Sequence, residues 1–116
     1  MGRVFFSPID LYLDEHSNVV QPDILFIANE NPLIIDKRGL KGVPDLIIEV
    51  LSPGNKKYDS IKKKKLYEKF CVKEYWLVDP ETKIANGFLL KGSNYVGQKE
   101  SRSQLHSSIL KKTFAF

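Results

Sequence analysis

The segment that best indicates the fold reads Pro44-Asp45-Leu46-Ile47-Ile48-Glu49-Val50-Leu51. It is apolar at nearly every position, which is typical of a central β-strand that is covered on both faces. The turn Ser52-Pro53-Gly54-Asn55 ends this strand. The following residues predict a helix over residues 59–70 and then a second buried strand over residues 74–79. This order predicts a crossover between two parallel strands.

The rest of the chain adds strands on both sides of this crossover. They are predicted at residues 4–13, 19–28, 84–90 and 95–98, of which the last two form a hairpin. Ser7-Pro8 indicates an edge position or a bulge in the first strand. Residues 29–42 predict a loop with at most one turn of helix, and residues 104–116 a last strand or short helix. We therefore expect one domain over residues 1–116, of the α/β or α+β class, with a mixed β-sheet and a flanking helix.

Composition excludes several classes of protein. Hydrophobic residues make up 42% of the 116 positions, which is enough for a core, and no apolar run approaches the ~20 residues that span a bilayer. The single cysteine, Cys71, excludes an internal disulfide framework and is typical of the reducing cytoplasm. With only His16 and His106 beside it, any metal is expected to be a hard cation on oxygen ligands. We expect a cytoplasmic protein without a membrane partner.

Two predicted strands each contain an acid in apolar surroundings. Asp23 opens the strand over residues 19–28, and Glu49 lies deep in the central strand. Burying an ionised carboxylate is costly, so each acid must pair with a base, become protonated or bind a cation. If the two strands are neighbours, both carboxylates can converge on one divalent ion. A salt bridge from Glu49 to a nearby lysine explains the pattern equally well, and the residues alone leave the two interpretations even.

Four sequence blocks follow one another in order between residues 8 and 98. They are Val20-Gln21-Pro22-Asp23, residues 44–53 with Glu49, Asp59 with Lys63 and Tyr67, and Glu74-Tyr75-Trp76-Leu77-Val78-Asp79-Pro80. This series resembles the Uma-type restriction endonucleases of bacteria, within the PD-(D/E)xK, restriction-endonuclease-like superfamily. The resemblance implies a restriction-endonuclease-like fold and a Mg²⁺- or Mn²⁺-dependent endonuclease that hydrolyses the phosphodiester bonds of DNA.

The resemblance also implies roles for individual residues. Asp23 and Glu49 are the expected metal ligands and catalytic acids, and Lys63 is the expected catalytic lysine, which orients water or stabilises charge on the phosphate. Asp59, Lys63 and Tyr67 are spaced i, i+4, i+8 and therefore share one helix face. Asp59 and Lys63 also fit an ordinary helix ion pair.

Two departures from the family pattern stand out. The superfamily usually has its lysine two residues after the acid, where this chain has Leu51. Family members also have an N-terminal helical segment before the first strand, and we expect this fold to be N-terminally shortened. Both departures favour a second interpretation, a catalytically degraded nuclease-fold protein that acts as a nucleic-acid-binding or dimeric interaction module.

Further candidates surround the predicted site. Asp45, Asp59 and Tyr67 are secondary candidates. Asp45 points to the same face of the strand as Glu49 but stands about 13 Å from it. A role at the start of the strand therefore fits Asp45 better than metal binding. The net charge is +4, and lysines crowd around the predicted helix. Those expected to contact phosphates are Lys56, Lys57, Lys62, Lys64 and Lys65. A solvated lysine face is the plain alternative.

We also expect a homodimer. An open sheet edge and the apolar pair Tyr75-Trp76 on a late strand predict a surface that needs a partner, and two-fold symmetry suits a nuclease that cuts two strands. A third interpretation is a small structural or protein-interaction domain in which Glu49 is ion-paired in the core. Carboxylates of Asp23 and Glu49 that meet in a cleft favour metal chemistry, whereas a direct contact between Glu49 and a lysine favours the structural interpretations.

Overall fold

The structure is a computed structural model, and it describes residues 2–14, 18–51 and 56–116. The helix α1 is Lys56–Lys69. The strands are β1 Gly2–Phe6, β2 Leu11–Tyr12, β3 Val19–Val20, β4 Ile24–Ala28, β5 Ile34–Asp36, β6 Gly39–Lys41, β7 Leu46–Val50, β8 Glu74–Val78, β9 Ile84–Lys91, β10 Asn94–Gly97, β11 Ser101–Arg102, β12 Gln104–Ser107 and β13 Lys112–Ala115. In the ranges described, no helix is both long enough and apolar enough to cross a membrane.

The main sheet is mixed, as the sequence predicts. Its order is β1-β4-β7-β8-β9-β10, and β11 pairs with β9. Strands β7 and β8 are parallel, with Leu46 opposite Glu74 and Val50 opposite Val78, and α1 connects them. The other pairings in this sheet are antiparallel. The crossover and the α+β class are therefore confirmed.

The two faces of the main sheet are covered by different elements. Neighbouring residues of each strand point to opposite faces, so each strand contributes to both cores. On one face, Ile47 and Tyr75 pack with Tyr67 of α1 and with Leu11 and Leu40, which belong to the second sheet β3-β2-β6-β5. On the other face, the core includes Leu46, Trp76 and Leu105, and the β12–β13 hairpin covers part of it. Tyr75 and Trp76 are both 1% exposed, so this pair lies within the core and offers no surface to a partner.

The largest correction concerns residues 29–42. They were predicted to be a loop, but they contain the hairpin β5–β6, and β6 pairs in parallel with β2. Gly39 begins β6 at φ 140°, and a Cβ atom there would meet the backbone oxygen of Asp10. The glycine that reads as a loop signal is thus needed for close contact between strands. In addition, a strand of three residues is too short to show a recognisable alternation of apolar and polar residues.

Smaller differences involve the ends of elements. The predicted strands over residues 4–13 and 19–28 are each divided in two, into β1 with β2 and into β3 with β4. The helix begins at Lys56, three residues earlier than Asp59. Residues 104–116 form the hairpin β12–β13. The helix is followed by Cys71, which is exposed at φ 62°, the left-handed conformation that commonly ends helices.

Glu74 is a buried charge that its local sequence does not predict. Its side chain is fully buried and accepts hydrogen bonds from five donors. They are Trp76 Nε1, Gln98 Nε2, Ser107 Oγ and the backbone nitrogens of Ser108 and Ile109. Burial raises the pKa of Glu74, but the hydrogen-bond donors, Gln98 and Trp76 above all, lower the pKa by more, so the net pKa of Glu74 is below its ordinary value. Glu74 therefore fastens the β12–β13 segment to the main sheet.

Candidate functional site

Glu49 lies at the carboxyl end of β7 on the face that packs against α1. Glu49 is 4% exposed, whereas the neighbouring Val50 points to the other face and is 44% exposed. Glu49 lies on this face because successive side chains of a strand point to opposite sides, and Glu49 stands two residues after the buried Ile47. A buried carboxylate at this position requires compensating donors.

Helix α1 supplies two of these donors. Lys63 Nζ donates to Glu49 Oε1 at 2.7 Å, and the Tyr67 hydroxyl donates to Glu49 Oε2 at 2.8 Å. Because the two residues are four apart, they lie one turn from each other on the same face. Tyr67 is fully buried, whereas Ile61, an apolar residue of the same helix, is 57% exposed. Ile61 stands two positions before Lys63, about 200° around the helix, and so faces away from the sheet.

Asp23 stands beside Glu49 on the neighbouring strand. In the antiparallel pairing of β4 with β7, Ile24 is opposite Ile48. One further step in this register places Asp23 opposite Glu49, where Cβ atoms are typically about 5 Å apart. Asp23 Oδ2 accepts a hydrogen bond from the backbone nitrogen of Val50 at 2.7 Å. The structure thus brings Asp23, Glu49 and Lys63 to one end of the sheet, and Tyr67 with them.

The electrostatics of this group follow from burial and like charge. Burial raises the pKa of Glu49, and the charge of Asp23 adds to the rise, while Lys63 and the Tyr67 hydroxyl oppose it. The net pKa of Glu49 is above its ordinary value. Burial followed by the charge of Glu49 raises the pKa of Tyr67, so Tyr67 remains protonated and donates.

The remaining lysines of α1 are arranged around the helix. Lys62 and Lys65 are exposed, and Lys64 Nζ lies 4.2 Å from the centre of the Phe88 ring. Among the four consecutive lysines, Lys63 has the described contact with Glu49. The side chains of Lys56, Lys57 and Asp59 lie outside the described part of the chain, so their predicted roles remain predictions.

Asp45 lies at the opposite end of β7, away from Glu49. Its carboxylate accepts hydrogen bonds from the backbone nitrogen of Ala28 at 2.7 Å and from Asn31 Nδ2 at 3.0 Å, and it pairs with Lys73 at 3.2 Å. Burial alone raises the pKa of Asp45, but Asn31, Ala28 and Lys73 together lower it below its ordinary value. These partners hold the Asp45 carboxylate at the start of β7.

The donor set at the Asp23–Glu49 end fits a hard divalent cation. Two carboxylates on adjacent strands offer oxygen ligands. Burial is the main cause of the raised pKa of Glu49, and the charge of Asp23 adds to it, so a cation bound between the two carboxylates would neutralise like charges. Among the described residues, no group of three or more histidine, cysteine, aspartate or glutamate side chains is arranged to hold a metal. Water and a substrate phosphate would therefore have to complete the coordination.

The fold is of the mixed α+β class, and it has a solved counterpart. A solved structure from Anabaena variabilis, described as a "putative nuclease belonging to DUF820", has the same fold with a TM-score of 0.68 and 18% identity. The match covers 95% of this chain and 62% of that one, so this chain spans less than two thirds of its solved relative. Over residues 1–115 the sequence matches the family Uma2, described as "Putative restriction endonuclease", and the chain belongs to this family. No curated protein matches it.

Proposed function

We propose that this protein is a metal-dependent endonuclease that hydrolyses the phosphodiester bonds of DNA. The observation that supports this proposal is the convergence of Asp23, Glu49 and Lys63 at one end of the main sheet. The Uma2 family description supports the reaction class. DNA as the substrate agrees with the net charge of +4 and with the lysines of α1.

Each residue of the site has a defined task. Asp23 and Glu49 would hold Mg²⁺ or Mn²⁺, which when bound polarises the phosphate and lowers the pKa of a coordinated water. Tyr67 fixes the orientation of the Glu49 carboxylate through its hydroxyl. Lys63 holds a positive charge beside the carboxylates, where negative charge on a bound phosphate increases during hydrolysis. Its side chain is 31% exposed, which leaves it accessible to a substrate.

A cleavage assay on duplex DNA with added Mg²⁺ tests this proposal. Glu49→Gln retains the shape of the side chain but removes its charge, and we expect it to lower the cleavage rate at least about 100-fold. Glu100→Gln is the matched control, because Glu100 is exposed and lies outside the site. Cleavage by Glu49→Gln at the wild-type rate would refute the proposed site.

One alternative function has an observation in its favour. The Lys63–Glu49 contact of 2.7 Å satisfies the buried carboxylate without a metal, as in a nuclease-fold protein that only binds nucleic acid. This module would bind DNA with strong salt dependence but would leave it intact in Mg²⁺ and in Mn²⁺. The same assay, combined with a binding measurement, separates the two functions.

We also propose that the protein acts as a homodimer in the cytoplasm. The face of the main sheet opposite α1 has an apolar groove of about 530 Å³, and Phe6 (66% exposed), Phe114 (40%) and Phe116 (39%) line it. An apolar surface of this kind favours a partner, and Lys83 is the one charged residue among the described residues of its lining. Two copies with a net charge of +4 can therefore meet there with little repulsion.

The free, exposed thiol of Cys71 supports a reducing compartment.

A further inference from the structure

A second polar site lies at the corner of the sheet near Asp23, next to the β5–β6 hairpin. It is a concave surface of about 350 Å³ at the tip of the β5–β6 hairpin. The residues that line it include Pro8, Asp10, Gln21, Lys37, Arg38 and Gly39. Lys37 and Arg38 form the turn between β5 and β6, and both are exposed. This concave site combines two cations with the carboxylate of Asp10 and the amide of Gln21.

Backbone hydrogen bonds place this surface next to Asp23. The backbone nitrogen of Ser7 donates to the oxygen of Asp23 at 2.9 Å, so the chain that continues into Asp10 leaves the sheet beside Asp23. Gln21, two residues before Asp23, donates from Nε2 to Asp10 Oδ1 at 2.7 Å. The backbone nitrogen of Leu40 donates to the oxygen of Asp10 at 2.9 Å, which holds the hairpin tip against this corner.

The hairpin tip and α1 lie on the same face of the main sheet. Leu25, Leu40 and Tyr67 belong to one hydrophobic cluster, which the main sheet, the second sheet and α1 build together. Asp23 has the strand parity of Leu25 and therefore points to this face. Asp23 and Glu49 therefore share this face with two basic segments, α1 and the β5–β6 turn.

We propose that Lys37 and Arg38 bind the phosphate backbone of the nucleic-acid strand that lies across Asp23 and Glu49. This inference rests on the proposed function and adds a second phosphate-binding segment, besides α1, for the same substrate. A guanidinium can bind a phosphate with two parallel hydrogen bonds, and an ammonium adds a point charge. Asp10 faces the same site, but Gln21 already donates to its Oδ1, which reduces its repulsion of a phosphate. Lys37 and Arg38 are positioning residues. They bind the nucleic-acid strand, whereas the carboxylates of Asp23 and Glu49 take part in the reaction.

The test compares two double variants of equal charge. Lys37→Ala/Arg38→Ala removes two exposed cations beside Asp23, and Lys91→Ala/Lys99→Ala removes two exposed cations elsewhere. Lys91 ends β9 at the end of the sheet remote from Glu49, because Leu89 is opposite Glu74. Fluorescence anisotropy of a labelled DNA duplex, repeated at several salt concentrations, gives the affinity and its salt dependence. Thermal unfolding confirms that both variants fold like the wild type.

We expect the Lys37/Arg38 variant to bind DNA with a salt slope smaller by about 1.8, since each phosphate contact contributes about 0.9. In the cleavage assay its KM should rise about tenfold while kcat stays near the wild-type value, because two phosphate contacts are lost and the reacting groups are intact. The exchange Lys37→Arg/Arg38→Lys should restore both quantities. The Lys91/Lys99 variant should match the wild type.

Two outcomes overturn the inference, and they are distinguishable. If the wild type cleaves DNA and depends on Glu49, but the two double variants behave alike, then the hairpin has no role and the proposed function stands. If the wild type neither binds nor cleaves DNA in Mg²⁺ or Mn²⁺, then the inference falls together with the proposed function.

Discussion

Lys63 Nζ of α1 lies 2.7 Å from Glu49 Oε1 of β7, so the helix supplies the cation for a carboxylate buried on the strand. The Glu49 side chain is 6% exposed and the Lys63 side chain is 31% exposed. Because Lys63 retains contact with solvent, its charge can serve both the carboxylate and a substrate phosphate. The family resemblance is the basis for the expectation that Lys63 of the helix replaces the catalytic lysine that is absent at position 51, where this chain has Leu51. The catalytic role of Lys63 stays a prediction.

Substitution of Lys63 should separate catalysis from binding. We expect Lys63→Met to lower Mg²⁺-dependent cleavage by about 10²–10³-fold, the usual cost of losing one charge-stabilising donor. DNA affinity should change little, because phosphate binding is shared among several cations. Lys64→Met should alter neither, since its ammonium lies over the Phe88 ring. Single-turnover cleavage and anisotropy measure both effects, and equal small losses from the two variants would indicate a general phosphate-binding surface without a catalytic lysine.

Tyr67→Phe should destabilise the fold by removing a donor to a buried charge. We expect a loss of about 2–3 kcal/mol in the free energy of unfolding, since hydrogen bonds to charged groups are stronger than neutral ones. Tyr95→Phe is the matched control, because its hydroxyl donates to the backbone oxygen of Val72 at 2.7 Å, and its loss should cost about 1 kcal/mol. Urea denaturation measures both. A cost for Tyr67→Phe that does not exceed the control would argue that Glu49 needs no such donor.

Glu74 should make stability depend on pH in acid. The folded pKa of Glu74 lies below its ordinary value of 4.5, so its stabilisation is fully present above pH 4.5 and is lost as the pH falls through the folded pKa. Glu74→Gln has too few acceptors for five donors, and we expect it to cost about 3 kcal/mol at pH 7. The difference between wild type and variant should shrink in acid. Denaturation at pH 7 and pH 3 measures it, and a difference that stays constant would contradict the assignment.

Assembly should depend on the apolar groove opposite α1. Phe6→Glu introduces a charge where Phe6 is 66% exposed, and we expect it to convert a dimer into a monomer. Val96→Glu is the control, because Val96 is 51% exposed but lies on β10, away from the groove. Sedimentation at micromolar concentration measures the mass. A wild-type protein that sediments as a monomer, or a dimer that survives Phe6→Glu, would refute this interface.

The central part of the fold could be predicted from the sequence because its signals are local and strong. The apolar run of β7 with Glu49 inside it predicted a covered strand and a site, and the residues after it predicted the helix and β8. The position of Lys63 next to Glu49 required more than the residues alone, since four consecutive lysines point in four directions. The resemblance to the Uma-type family singled out Lys63, and α1 brings it to Glu49.

Other features depend on long-range contacts that no local pattern reveals. The hairpin β5–β6 is short and contains Gly39, whose value lies in its close approach to Asp10. Glu74 reads as an ordinary polar start of a strand, and its five donors include Gln98 and Ser107, which are distant in sequence. The exposure of Phe6 and Phe114 depends on how far β12–β13 extends over the sheet.

The most direct test of the central claim is a calorimetric titration of Mg²⁺ into the wild type, Glu49→Gln and Glu100→Gln, repeated with Mn²⁺. We expect the wild type and Glu100→Gln to bind the cation with the same affinity, and Glu49→Gln to bind it at least about tenfold more weakly, because one of two anionic ligands is lost. An unchanged affinity in Glu49→Gln would show that Asp23 and Glu49 do not form the metal site.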